Sequence, residues 1–297
     1  MDALHDLIFG TGVAVKQCQS VSHSNNINLL IARTTGDVDP SLTGVMDATP
    51  TTTVSSYDVA GLIGTFGATT GASVSSGTVT IPFSRRASGS TFAGSTSHFT
   101  VTGANAFGYP TSYTASQGQA ASGTVDIMFF SSNGLAIPLS SATGASLSAN
   151  AFSASYTIGP AKINGTQVSQ ITGATVNTGI NVRAEIYDGN VYPLLANCVI
   201  DQRDPTIELT TALFDEIDTY GPMFATNDSQ DVVVYFRKLS DGSTRVADAT
   251  AEHIAFTLSD GIITVDQFSG QDNQDGSATI KITGKSLAVS ATSAISV

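Results

Sequence analysis

Six Asx-Gly dipeptides punctuate the chain: Asn133-Gly134, Asn164-Gly165, Asp188-Gly189, Asp241-Gly242, Asp260-Gly261 and Asp275-Gly276, all after residue 130. Asn and Asp tolerate positive φ, and glycine adopts it without a steric penalty. Two such residues in succession build the type I′ turn, whose twist matches that of two flanking antiparallel strands. Strand-like runs precede most of them: Val125–Phe130 before Asn133, Ala184–Tyr187 before Asp188, Val232–Phe236 before Asp241 and Ile254–Leu258 before Asp260. The chain therefore reads as an antiparallel β-protein built from hairpins.

The strands expected from this punctuation begin at Thr78–Phe83, where Pro82 points to a sheet edge. They continue at His98–Thr102, at Thr124–Phe130 with Leu135–Leu139, and at Ser155–Ile158 with Gln167–Ile171. Gly179–Tyr187 is expected to pair with Asn190–Leu195. In it Ile180, Val182, Ala184 and Ile186 alternate with Asn181, Arg183, Glu185 and Tyr187, a period of two. Asp231–Lys238, His253–Leu258, Ile262–Phe268 and Ala278–Ile282 complete the set. In Thr206–Tyr220, Leu209, Leu213, Phe214 and Ile217 fall on one helical face, and Gly221-Pro222 stops the pattern.

The expected fold is thus mainly β: an antiparallel sandwich or partial barrel made of hairpins, with one packed amphipathic α-helix at about 206–220 and an extended N-terminal arm. Residues 1–77 read as that arm with a long loop, 78–283 as the β core with its helix, and 284–297 as a C-terminal tail. Within the arm, Asp2–Phe9 suits a short helix or a strand, Gly36–Thr53 is a loop rich in Asp, Pro and Thr, and Tyr57–Phe66 is a short amphipathic piece. Gly67–Gly77 has the Gly/Ser/Thr composition of a flexible connector.

A hydrophobic content of 41% in 297 residues supports a substantial core, but only 12% of the residues are charged. That is half the usual ~25%. A sparsely charged surface suits a protein whose faces are buried against copies of itself, and a neutral secreted β domain shares the composition. With 24 acidic and 12 basic residues the net charge is −12, which disfavours binding to nucleic-acid phosphates. Cys18 and Cys198 do not make a disulfide framework and read as buried thiols in a reducing cytoplasm. Met1–Val15 lacks the basic start and apolar run of a signal peptide, and no apolar run approaches the ~18 residues that span a membrane.

No catalytic, cofactor or metal site emerges. No G-x-S-x-G elbow occurs, and Gly284-Lys285-Ser286 lacks the first glycine of a phosphate loop, with Thr279 in its place. His5, His23, His98 and His253 are scattered singly. Aligned as a calcium loop, Gln271–Gly276 would put Gln271 and Ile282 where acidic ligands belong. Asp201, Asp204, Glu208, Asp215, Glu216 and Asp218 read as a solvated helix face.

Four segments, Thr78–Gly103, Ser155–Gln170, Gly179–Arg203 and Arg245–Val265, combine with the single helix, the long polar loop Arg85–Ser97, the N-terminal arm and the acidic balance. In this organisation the chain resembles the tail tube proteins of tailed bacteriophages. The resemblance implies a non-enzymatic virion protein made in the host cytoplasm. Its subunits form rings, the rings stack, and their strands line a channel through which DNA passes as non-adhering cargo. The implied partners are further copies, through 1–77 and 85–97, and other tail proteins; no membrane is involved. A capsid decoration or other virion surface protein remains an alternative, as does a β-rich cell-surface adhesin or binding module. The absence of Trp, the usual sugar-stacking platform, weakens the last.

Overall fold

The computed structural model describes all residues except 1, 5, 12, 37, 76, 86–97, 146, 148–154, 213–228, 241–243, 272–273 and 297, with the backbone alone at 2–4, 13–14, 145, 265–271 and 274–275. In chain order the elements begin with β1 (Asp2–Leu4), β2 (Leu7–Phe9), β3 (Val13–Val15), β4 (Cys18–Ser24), β5 (Ile27–Ala32), β6 (Leu42–Ala48), β7 (Thr51–Ser56) and the helix α1 (Val59–Phe66). There follow β8 (Ala72–Val74), β9 (Val79–Arg85), β10 (His98–Gly103), β11 (Ala106–Ser116), β12 (Ser122–Phe129), β13 (Leu139–Ala145), β14 (Ser155–Ile163), β15 (Thr166–Val168) and β16 (Ile171–Asn177). The chain ends with β17 (Ile180–Ala184), β18 (Cys198–Arg203), β19 (Thr206–Thr211), β20 (Gln230–Ser240), β21 (Thr244–Arg245), β22 (His253–Gln271), β23 (Gln274–Thr283) and β24 (Ser286–Ser293). The mainly antiparallel β fold is as the turns imply, and the described strands do not close into a barrel.

Fourteen strands form one sheet in the order β15-β14-β20-β22-β23-β19-β16-β11-β12-β7-β4, with β21 on β20, β24 on β22 and β8 on β11. This sheet is folded over on itself at β22. Up to Ser259, β22 lies between β20 and β24, with Leu258 opposite both Val232 and Leu287. From Ile262 onward it pairs with β23 instead, Ile262 opposite Thr283. The corner falls at Asp260-Gly261. Asp260 takes φ 53°, its carboxylate accepts a hydrogen bond from Ser229 Oγ at 2.7 Å, and its N–H donates to Asp231 Oδ1 at 3.3 Å. A strand that changes sheets through a local bend is the standard way to make the corner of a sandwich.

The folded sheet brings its two leaves face to face. Tyr113 from β11 meets Phe256 from β22 at 5.0 Å between ring centroids, and Phe236 from β20 packs edge-on to the same ring at 5.0 Å. Ile207, Leu209, Val232, Val234, Ile254, Leu258, Ile280 and Ile282 fill the rest of the interior and are all fully buried. The six-stranded sheet β13-β10-β9-β2-β3, with β1 on β9, adds Leu7, Phe9, Val79 and Ile81 to the same core.

α1 plugs this core. Asp58 caps it, accepting from Gly61 N–H at 3.0 Å, and its other carboxylate oxygen accepts from Lys16 N–H at 3.0 Å. Val59, Leu62, Ile63 and Phe66 are buried, and each such side chain contributes about 1.5–3 kcal/mol. Phe66 stands edge-on to Phe9 at 4.8 Å.

Several expectations are corrected by these elements. The first part of the expected 206–220 helix is strand β19, in which Ile207, Leu209 and Thr211 are buried and alternate with half-buried Thr206, Glu208 and Thr210; residues 213–220 lie outside the described ones. The α-helix of the described residues lies instead in the Tyr57–Phe66 piece, at Val59–Phe66. The segment 1–77 is not an extended arm: β2, β3, β4, β7 and α1 belong to the sheets and the core, because their apolar residues have nowhere else to be buried. The expected 284–297 tail contains β24, paired along β22. β9 is interior to its sheet despite Pro82, which pairs with Thr100 on one side. On the other side, among the described residues, β1 pairs with Phe83–Arg85 and β2 with Val79 and Thr80.

The corner is testable. A Cβ on Gly261 would stand 2.5 Å from Ile282 Cγ2 and 3.0 Å from the Gln230 carbonyl oxygen. Gly261→Ala should therefore cost about 1–3 kcal/mol of stability in urea denaturation. Gly44→Ala, where nothing lies within 4 Å, should change it by no more than about 0.5 kcal/mol.

Candidate interaction surface

The side chains with catalytic potential are dispersed and structurally engaged. His253 is fully buried; its Nδ1 accepts from Lys238 N–H at 3.0 Å and its Nε2 lies 3.1 Å from the Ala247 carbonyl. His98, also fully buried, accepts from Arg85 N–H at 2.9 Å in the same geometry, so each imidazole clasps the backbone of the neighbouring strand. His23 bonds Thr52 and Asn25.

The acidic group is likewise spread out. Asp201 pairs with Arg183 Nε at 2.9 Å, Glu208 faces Lys281 at 3.7 Å, and Asp204 accepts from Gln202. Asp215, Glu216 and Asp218 lie outside the described residues. Gly284-Lys285-Ser286 leads from β23 into β24, with Lys285 N–H donating to the Ser259 carbonyl at 3.0 Å. Among the described residues no three His, Cys, Asp or Glu side chains group as metal ligands.

What the chain does present is a projecting hairpin, β5–β6. Among the described residues it pairs with no other strand. The register Leu29↔Val45 and Ile31↔Thr43 places Ile27, Leu29, Ile31 and Val45 on one face, and these four are 47–58% exposed. Leu30, Leu42 and Met46 are exposed as well, and Val38 beyond β5 is 89% exposed. An isolated two-stranded hairpin is at best marginally stable in water, and exposed large apolar side chains are normally scattered singly.

At its base the hairpin overhangs a groove of about 160 Å³ formed by Ile27, Val45 and Ala48 against Ile137, Leu139 and Tyr192. The wall opposite is held by Asn133, whose Oδ1 accepts from Leu135 and Ala136 N–H at 3.0 and 2.7 Å. The Gly134 carbonyl accepts from Val191 and Tyr192 N–H, both at 2.9 Å. Of the two segments expected to carry contacts, 1–77 contains this hairpin, and 86–97 lies outside the described residues. The Ile27–Ala32 run was legible as apolar, but nothing in the sequence distinguishes a core strand from one with no partner.

No protein-family model and no curated protein matches the chain. No helix of the described residues is long and apolar enough to cross a membrane.

The two thiols are poor nucleophiles in place. Burial pushes Cys18 up to about 12, helped by the carboxylates of Asp6 and Asp58 and opposed by the Leu7 backbone, and burial pushes Cys198 up to about 11. Since the thiolate is the reactive species, alkylation by iodoacetamide at pH 8 should be about a hundredfold slower in the native protein than in urea. Mass spectrometry of the alkylated cysteines measures both rates.

Proposed function

We propose that the chain is a structural subunit that assembles with copies of itself, and that the assembly is the stacked-ring tail tube of a bacteriophage. The observation that carries the reading is the β5–β6 hairpin, an apolar two-stranded sheet that pairs with no other described strand and whose Ile27, Leu29, Ile31 and Val45 stay about half exposed. A second copy supplies what the hairpin lacks. An unpaired strand edge accepts another strand by main-chain hydrogen bonding, and an apolar face gains ~25 cal/mol per Å² that it buries.

Charge supports the same occupant. Subunits with net charge −12 repel one another, so copies meet most readily where charge is lowest. Asp47 is the one charged residue in the two hairpin strands. A hairpin that docks on a different surface of the neighbouring copy makes a head-to-tail contact. Repeated around an axis, such a contact makes a ring when the rotation closes. Closure of the rings removes the free edges, and permanent interfaces of this type bury about 2,000 Å² or more.

In a tube the acidic balance has a use. Carboxylates on the lumen wall act over a screening length of about 8 Å at physiological salt. They keep DNA from adhering without driving its movement. In this reading the protein resides in the virion tail and meets other tail proteins at the ends of the tube.

Negative-stain electron microscopy of the purified protein should show rings or hollow tubes, more abundant as salt screens the subunit repulsion. The double variant Leu29→Asp/Ile31→Asp alters two exposed positions and should keep the circular dichroism spectrum of the wild type. It should form no rings even at about ten times the concentration at which the wild type assembles, a loss of at least 1.4 kcal/mol per contact. A wild type that sediments as a monomer at high concentration, or a charged variant that assembles normally, rules the reading out.

A further inference from the structure

On the other leaf of the sandwich, away from the hairpin, β14 interrupts its ladder with β20. Pairing runs from Ser155 to Ile158, skips Gly159 and Pro160, and resumes at Ala161. The bulge is tightly built: a Cβ on Gly159 would stand 2.6 Å from the Tyr235 carbonyl oxygen. Bulges of this kind re-aim side chains, and they are over-represented beside functional sites.

Here the bulge borders a cleft of about 280 Å³. Its rim brings together residues far apart in sequence: Gln117 from the turn after β11, Gln167 from β15, Gln170 before β16, Arg237 from β20 and Arg245 from β21. Gln170 is held at φ 50°, and Gln117 is fixed by its N–H donating to the Thr172 carbonyl at 2.8 Å. Ile158, Pro160 and Ile171 supply apolar wall.

The electrostatics of the cleft run against the rest of the molecule. Among the described residues no carboxylate lines it, in a chain with 24 acidic and 12 basic residues. Arg237 is committed at one end only, Nη2 donating to Asp248 at 2.8 Å. Its buried Nε–H has no acceptor among the described residues. Arg245 is exposed and forms no ion pair among the described residues.

The lining selects a ligand class. A guanidinium matches a carboxylate in two parallel hydrogen bonds. Three carboxamides, each able to donate and accept at once, match hydroxyl groups, which do the same. A bare phosphate offers mostly acceptors, with one or two O–H donors at neutral pH, and matches three amide oxygens less well than a ring of hydroxyls. We propose that this cleft binds an acidic sugar, a single ring whose carboxylate meets Arg245 and Arg237 and whose hydroxyls meet the three glutamines.

The experiment uses the Leu29→Asp/Ile31→Asp chain as a dispersed subunit and follows ¹H–¹⁵N spectra on separate titration with sodium D-glucuronate, D-glucose and sodium acetate. D-Glucuronate should saturate the side-chain amide signals of Gln117, Gln167 and Gln170 and bind at least tenfold more tightly than either control. Arg245→Ala, at an exposed position, should weaken it at least tenfold without changing the remaining spectrum. Should that variant polymerise, the wild type is titrated below its assembly concentration. No saturable shift, or equal binding by Arg245→Ala, overturns the site. An equal response to acetate overturns the sugar and leaves a simple carboxylate, such as an acidic side chain of another molecule. Equal binding of glucose overturns the role of the arginines. The cleft and the hairpin share no residue, so failure here leaves the self-assembly reading standing, and failure of assembly leaves this one.

Discussion

The bend in β22 at Asp260-Gly261 is the constraint on which the rest of the architecture depends. A sheet of fourteen strands cannot remain open and flat, because one of its faces is apolar and must be buried. This chain folds the sheet on itself along one strand. Asp260 turns the backbone through a positive φ, and its carboxylate holds the corner from the other side through Ser229 and Lys285, which keep it below the usual carboxylate range. That stabilisation is present above the ordinary carboxylate pKa and is lost as pH falls through the depressed value. Once the corner is set, β11 faces β22 and Tyr113 can reach Phe256.

The corner also explains where the two surfaces of interest lie. Folding the sheet leaves β14 at the seam, near β16 and the turn after β11; the Tyr156 carbonyl accepts from Ala121 N–H at 2.7 Å across it. The arginine and glutamine cleft sits at that seam, where the bulge in β14 prevents the two leaves from closing fully. The β5–β6 hairpin, by contrast, leaves the body between β4 and β7, which are themselves paired. Because those flanking strands are locked together, the hairpin is presented on a rigid base.

The Asx-Gly pairs show how a correct local signal is used in different ways. Only Asn164-Gly165, with φ 50° and 80°, closes a described two-residue hairpin, between Ile163 and Thr166. Asp188-Gly189 makes the same turn, at φ 56° and 71°, yet its expected partner strand is absent, and β17 pairs with β18 farther along. Asn133-Gly134 shapes a loop wall, and the strand after it starts at Leu139 rather than at Leu135. Asp275-Gly276 lies inside β23, since Gln271 already pairs with Gln274. Asp241-Gly242 is outside the described residues, although Ser240 and Thr244 pair on either side of it. The misplaced helix has a similar origin: Leu209 belongs to a strand of period two and fits a helical spacing only when joined to Leu213 and Ile217 downstream.

Local residue chemistry by itself determined the β class, the antiparallel pairing and most of the strand positions in 78–283. These depend on alternation and on tolerance of positive φ, which a residue carries wherever it stands. Tertiary structure alone decided that 1–77 enters the core, that one Asx-Gly pair is a corner and another a hairpin, and which apolar strand is left without a partner. Val54 and Leu29 lie in equally strand-like runs, yet one is fully buried and the other 58% exposed. The difference is whether another part of the chain arrives to cover them. The cleft is more remote still from the sequence, because Gln117, Gln167 and Arg245 meet only after the sheet has folded over.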